Sequence, residues 1–197
     1  MHKLVVTSFL SLVTLNLLAQ SNNHAEEHIK SEAIIKVSKK KKNYKFFSGN
    51  APVTMADGTT KPIADVKLGE HVKTCKNGKS TTTQVKQIDV YNEPNFSLTA
   101  FYLRPADTNH ESSNHQIVPA LLLEATPHHM VQTKKGKKRM SRLSKRDILY
   151  HYEPSTGLVS SWKIGAVKQN ARTVSKAYNL ATEDGTYLVD NVMVANN

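Results

Sequence analysis

The chain has 197 residues, 39% of them hydrophobic, and its 27 basic against 16 acidic residues give a net charge of +11. That length suits one domain with its own core, and a single cysteine, Cys75, excludes an internal disulfide. Beyond the first residues no apolar run is long enough to span a bilayer as a helix, so no transmembrane span is expected.

His2 and Lys3 give a short basic start, Leu4 to Leu18 is apolar-rich, and Ala19-Gln20-Ser21 offers the small residues a signal peptidase reads. Residues 1–21 are therefore expected to be a secretory signal peptide, placing the mature chain in the periplasm or outside the cell. Residues 22–45 are polar and lysine-rich and read as a tail or linker. A domain is expected over 46–197.

Within it, short runs of Val, Ile, Leu, Thr and Tyr alternate with turn chemistry. Asp57-Gly58, Asn77-Gly78 and Asp184-Gly185 are hairpin dipeptides, because glycine tolerates the positive φ that tight turns demand. Glu153 to Gly157 separates Ile148–Tyr152 from Leu158–Ile164 as a longer hairpin. No segment repeats apolar residues every 3.6 positions, so helix should be scarce and the fold all-β. From Tyr91 to Leu121 the pattern loosens, and Asn109 to His115 reads as an exposed polar loop. A faint repeat runs through the domain. Val53 and Gly58 match Val131 and Gly136, and Val66, Gly69 and Val72 match Leu143, Arg146 and Leu149 once one residue is deleted.

Four stretches carry a resemblance. The first is Phe46-Phe47-Ser48-Gly49-Asn50-Ala51-Pro52-Val53, continued by Ala56-Asp57-Gly58 and Val66 to Val72. Thr126-Pro127-His128-His129 is the second, and Leu143-Ser144-Lys145-Arg146-Asp147-Ile148-Leu149 the third. The last runs from Tyr178-Asn179-Leu180 through Val192-Met193-Val194-Ala195-Asn196-Asn197. In this order and spacing they resemble the Hint (hedgehog/intein) domains. The resemblance implies a horseshoe-like β fold of two pseudo-two-fold related halves, a self-processing reaction and no cofactor. It also implies roles for particular residues. The first residue would attack the preceding carbonyl as a thiol, splitting amide cleavage into two easier steps. The Thr-x-x-His pair, here Thr126 and His129, would polarise or protonate the scissile nitrogen. A terminal asparagine, here Asn196, would cyclise.

This chain departs from that pattern at two positions. Phe46 stands where the nucleophilic cysteine is expected, and a phenyl ring has no nucleophilic atom. Ala195 replaces the histidine before the terminal asparagine. The reading this favours is a protein of the autoprocessing family that is silent for the N-terminal acyl shift, a monomer that is not a turnover enzyme. Two alternatives stand beside it. One is active self-cleavage of its own polypeptide through Ser48, water or Asn196. The other is a cationic exported protein that binds anionic polymers through Lys134 to Arg146. Ser48 would sit about 6.6 Å along a strand from Phe46, out of reach of the Lys45 carbonyl. Cys75, beside the Asn77-Gly78 turn, reads as a structural thiol. Asp89 is a weak match for an acidic residue that activates the second nucleophile in hedgehog-type domains. His128 and His129, with His110, His115 or His151 as partners, are candidate metal ligands, but adjacent strand residues point to opposite faces, which disfavours a shared ion. Trp162 and Tyr187 read as packing residues.

Overall fold

The computed structural model describes residues 44–106 and 120–196. The expected signal peptide, most of the tail and the 109–115 loop lie outside them. Among the described residues twelve strands form in chain order: β1 (Phe47–Ser48), β2 (Pro52–Thr54), β3 (Thr60–Pro62), β4 (His71–Lys76), β5 (Lys79–Pro105), β6 (Leu121–Ala125), β7 (Met130–Thr133), β8 (Gly136–Arg139), β9 (Ile148–Tyr152), β10 (Val159–Thr182), β11 (Thr186–Val189) and β12 (Val192–Ala195). Helix among the described residues is confined to two single 3-10 turns, Ile63–Asp65 and Met140–Arg142. Neighbouring strands run in the order β3-β2-β11-β12-β7-β9-β10-β5-β4, with β1 on β10, β6 on β5 and β8 on β7. The fold is all-β.

The turn dipeptides do what their chemistry dictates. Asn77 and Gly78 both adopt positive φ, 53° and 72°, and join Lys76 to its partner Lys79 in two residues. Gly58 and Gly185 are also left-handed. One tight turn escaped the sequence reading: Asp190 and Asn191, at φ 49° and 59°, close β11 onto β12 without a glycine. Asp and Asn are the side chains that tolerate this region best.

The loosened pattern after Tyr91 is strand up to Pro105. β5 and β10 pair antiparallel from Thr182↔Val85 to Trp162↔Pro105, with register shifts between Lys168 and Arg172 and between Val174 and Lys176. Around those shifts β10 is exposed from Ala166 to Gln169 on successive residues. With solvent on both faces, no alternation marks that part of β10 as strand, and opposite it Leu98 to Phe101 of β5 are buried on successive residues, which erases alternation there too.

The repeat is a structural duplication. In the first unit β2, β3, a 3-10 turn and β4 follow one another; in the second β7, β8, a 3-10 turn and β9 do the same. Ala51 accepts from Ile63 N–H at 2.9 Å and His129 from Met140 N–H at 2.8 Å, in each case through the backbone carbonyl. Ile63 and Met140 plug the two turns, and Val72 and Leu149 are fully buried behind them. The inner ends of both units meet in one core with Phe47, Phe101, Leu123, Ile164 and Tyr187. Burying one such side chain stabilises by roughly 1.5–3 kcal/mol.

Candidate functional site

The chain enters the domain at Tyr44 and Lys45, and short β1 holds it against β10 through Phe47↔Tyr178 and Ser48↔Ala177. Gly49 is needed for this approach, since a Cβ there would lie 2.9 Å from the Tyr178 ring. The turn before β7 meets the same segment from the other side. Thr126 Oγ1 accepts from Phe46 N–H at 2.8 Å and donates to the Tyr44 carbonyl at 2.6 Å, while Thr126 N–H donates to the Phe46 carbonyl at 2.9 Å. One threonine thus brackets the Lys45–Phe46 peptide bond. Its hydroxyl satisfies the very nitrogen that would leave if that bond were cut.

Phe46 is 5% exposed and fills an aromatic cluster. Its ring lies 4.0 Å from Tyr91, 5.8 Å from Tyr44 and 6.1 Å from Phe96, centroid to centroid. Tilted and edge-on arrangements of this kind add about 0.5–1.5 kcal/mol per pair beyond burial. Val174 and Ala177 close the cluster from β10.

His129 is 1% exposed, its ring 4.2 Å from that of Phe47. Nδ1 lies 2.8 Å from the Met130 carbonyl. A carbonyl only accepts, so Nδ1 carries the proton and Nε2 presents a bare lone pair. Burial lowers the imidazole pKa from 6.5 to about 4, outweighing the Met130 carbonyl and Asn179, which favour the cation. Asn179 is close enough to act on the ring, yet no hydrogen bond of ordinary length reaches Nε2. His129 is therefore a neutral base near pH 7, and protonating the scissile nitrogen would require it to pick up a proton first.

Asn179 is a residue to which the sequence reading gave no role. It is 2% exposed and pairs across the ribbon with Asp89. Its Nδ2 lies 3.4 Å from Asp89 Oδ2, and Tyr187 Oη lies 3.4 Å from its Oδ1. It lies within the Tyr178-Asn179-Leu180 stretch, but only the β5–β10 register brings it between His129 and Asp89. Gln87 Nε2 holds the other Asp89 oxygen at 2.5 Å.

The remaining candidates are tied elsewhere. Asn196 is clamped on the β10–β11 turn: its Nδ2 donates to the Thr182 carbonyl at 2.7 Å and its N–H to Gly185 at 2.9 Å. Ser48 is buried in strand register with Ala177, its Oγ 3.4 Å from Asn50 N–H. Cys75 packs with Tyr152, Leu188 and Met193, and burial pushes its thiol up to about 11, which leaves it unreactive at neutral pH. His151 bonds Glu153 at 3.0 Å and stacks near Trp162; His110 and His115 lie outside the described residues.

No protein-family model and no curated protein matches the sequence. Solved structures do match. A mutant of an Ssp DnaB mini-intein variant aligns at 14% identity with a TM-score of 0.62, covering 83% of this chain and 94% of the intein. A DnaB intein from Synechocystis aligns at 16% and 0.60, covering 77% and 98%. A bacterial intein-like domain from Clostridium thermocellum aligns at 19% and 0.55, covering 78% and 99%. The chain has the Hint fold seen in these inteins.

Proposed function

We propose that this chain is an exported Hint-fold protein that no longer performs the N-terminal acyl shift, and that it persists as a folded scaffold. The observation that carries the reading is Phe46. In the resemblance read from the sequence it stands at the nucleophile position, and its ring is one member of a packed aromatic cluster rather than a misfit. The rest of the site retains its form. Thr126 still brackets the peptide bond before Phe46, and His129 is buried one turn away. Neither Ser48 nor Cys75 supplies the missing attack: Ser48 is locked in register with β10, and Cys75 packs among Tyr152, Leu188 and Met193. Asn196 uses its carboxamide nitrogen on Thr182. A nucleophilic pathway without its nucleophile has no first step.

The test is the intact mass of the purified mature protein after incubation with a strong thiol. One full-length species is expected; a fragment ending at Lys45, Phe47 or Asn196 would overturn the reading. The Phe46→Cys variant shows whether the scaffold is otherwise competent. If Thr126 still presents the bond, thiol releases the segment ending at Lys45, and adding Thr126→Ala suppresses that release.

A further inference from the structure

The duplication supplies an internal control for the basic character of the chain. Segments 56–70 and 134–147 have equivalent backbones, each a hairpin tip, a strand, a 3-10 turn and the loop into the next strand. The first carries two basic and three acidic residues, the second eight basic and one acidic. Each unit uses one lysine structurally: Lys61 bonds Glu70 and Lys138 bonds Asp147, both at 2.7 Å. The fold asks for no more than that, because Asp65 and Gly69 stand in the first unit where Arg142 and Arg146 stand in the second, and Asp57 lies in the hairpin tip that Lys135 occupies. Solvation alone does not account for the bias either, since the acidic and neutral residues of the first unit solvate the same backbone.

The extra cations are contiguous. Lys134 N–H donates to the Ile148 carbonyl at 3.0 Å, which sets the hairpin tip beside the loop that ends at Arg146. The Lys138–Asp147 pair bridges the same two segments. Lys134, Lys135, Lys137, Arg142, Lys145 and Arg146 are all exposed. Among the described residues none of the six is paired with a carboxylate, and Lys137 reaches only the Gly185 carbonyl, at 3.3 Å. Like charges held this close repel one another, and a polyanion would relieve that cost.

We infer that the hairpin tip and 3-10 loop of the second unit form a docking surface for an acidic polysaccharide. Single-stranded nucleic acid is the poorer match, because segment 134–147 has no aromatic side chain on which a base could stack. The helix there is a single turn of three residues, too short to serve as a recognition helix in a duplex groove. What remains is recognition of regularly spaced anionic groups by charge, and the choice of partner rests on the export proposed above, under which acidic polysaccharides are the polyanions the protein would meet in the periplasm or outside the cell. This inference does not depend on whether the Phe46 site is silent.

The experiment uses the mature protein with two variants. One changes Lys134, Lys135, Lys137, Arg142, Lys145 and Arg146 to serine. The control changes six exposed cations elsewhere, Lys67, Lys76, Lys79, Lys86, Arg104 and Lys168, and so has the same net charge. Binding to heparin, to polygalacturonate and to a short DNA duplex is titrated at a common ionic strength, with circular dichroism and melting confirming each fold. The expected result is a loss of roughly tenfold or more in polysaccharide affinity for the first variant, a much smaller loss for the control, and a salt dependence that flattens with the first. Equal losses in both variants would reduce the effect to net charge and overturn the site. Tighter binding of the duplex than of both polysaccharides would overturn the assigned partner. If the first variant fails to fold, Arg142→Ser with Arg146→Ser alone must still weaken polysaccharide binding, or the site falls.

Discussion

In the first unit Lys61 and Glu70 close the 3-10 turn; in the second Lys138 and Asp147 do so at the same 2.7 Å. Around this shared frame the side chains diverge. Ser48 and Ala51 occupy the first unit where Thr126 and His129 occupy the second, with the same backbone bonds, Ala51 N–H to Ser48 and His129 N–H to Thr126. Positions that agree between the units are those the backbone needs. Positions that differ carry the Lys45–Phe46 bracket, the buried imidazole and the cationic surface. Comparing the units therefore separates folding from function within a single chain.

The largest effect tests whether the units are equivalent as folding elements. Ile63 and Met140 are 0% and 1% exposed and plug corresponding turns. Ile63→Ala and Met140→Ala should each cost about 2–5 kcal/mol in urea unfolding, through lost burial and the cavity left behind. A cost confined to one unit would mean that the other turn collapses around the gap, and the equivalence would be one of shape alone.

The next effect comes from His129, whose counterpart Ala51 cannot titrate. The folded imidazole has a pKa of about 4 against the ordinary 6.5. The unfolded chain therefore binds a proton first, and this contribution is full above pH 6.5 and falls as pH drops towards 4. Its size is on the order of 3 kcal/mol. Asp190 acts the other way. Burial, then the charge of Glu124, raises its carboxyl from 3.8 to about 6, so the folded state takes up the proton first and gains stability as pH falls from 6 to about 4. The two groups oppose each other in that window, below which the depressed carboxylates of Glu70 and Asp147 titrate. Asp190→Asn should steepen the acid loss of stability, and His129→Gln should reverse its direction. Urea midpoints at several pH values between 4 and 7 read both; unchanged slopes in His129→Gln would show that the ring is not held neutral by burial.

Much of this was legible in the sequence. The glycine turns, the repeat marked by Val53 and Val131, and the Thr126–His129 motif are local signals, and local signals survive in one dimension. The long ribbon was not legible, because alternation is lost in both strands, β10 being exposed on successive residues from Ala166 to Gln169 and β5 buried on successive residues from Leu98 to Phe101. Nor was the role of Asn179, which depends on a cross-strand partner ninety positions earlier in the chain. The aromatic cluster around Phe46 joins Tyr44 of the entering chain to Tyr91 and Phe96 of β5, and nothing in the spacing of those residues announces it.

The smallest effect sharpens the comparison at its most conserved point. Asp147 is 7% exposed and one of its oxygens accepts from Lys138 Nζ, Ser144 N–H and Ser144 Oγ. Burial raises its pKa, but these hydrogen bonds outweigh it and hold the carboxyl below its usual range. Glu70 makes the analogous bonds, from Lys61 Nζ and Lys67 N–H, with its side chain 29% exposed. Geometry alone would make the pairs equal; solvent makes them unequal. Asp147→Asn should cost about 1.5–3 kcal/mol, the range for hydrogen bonds to a charged group sheltered from water, whereas Glu70→Gln should cost about 0–1 kcal/mol. A double-mutant cycle with Lys138→Met and Lys61→Met measures each coupling directly. Equal couplings would mean that burial does not discriminate the two loops. A larger coupling at Asp147 would show that the second unit anchors its loop more firmly, which a surface that must hold Arg142, Lys145 and Arg146 together against their mutual repulsion requires.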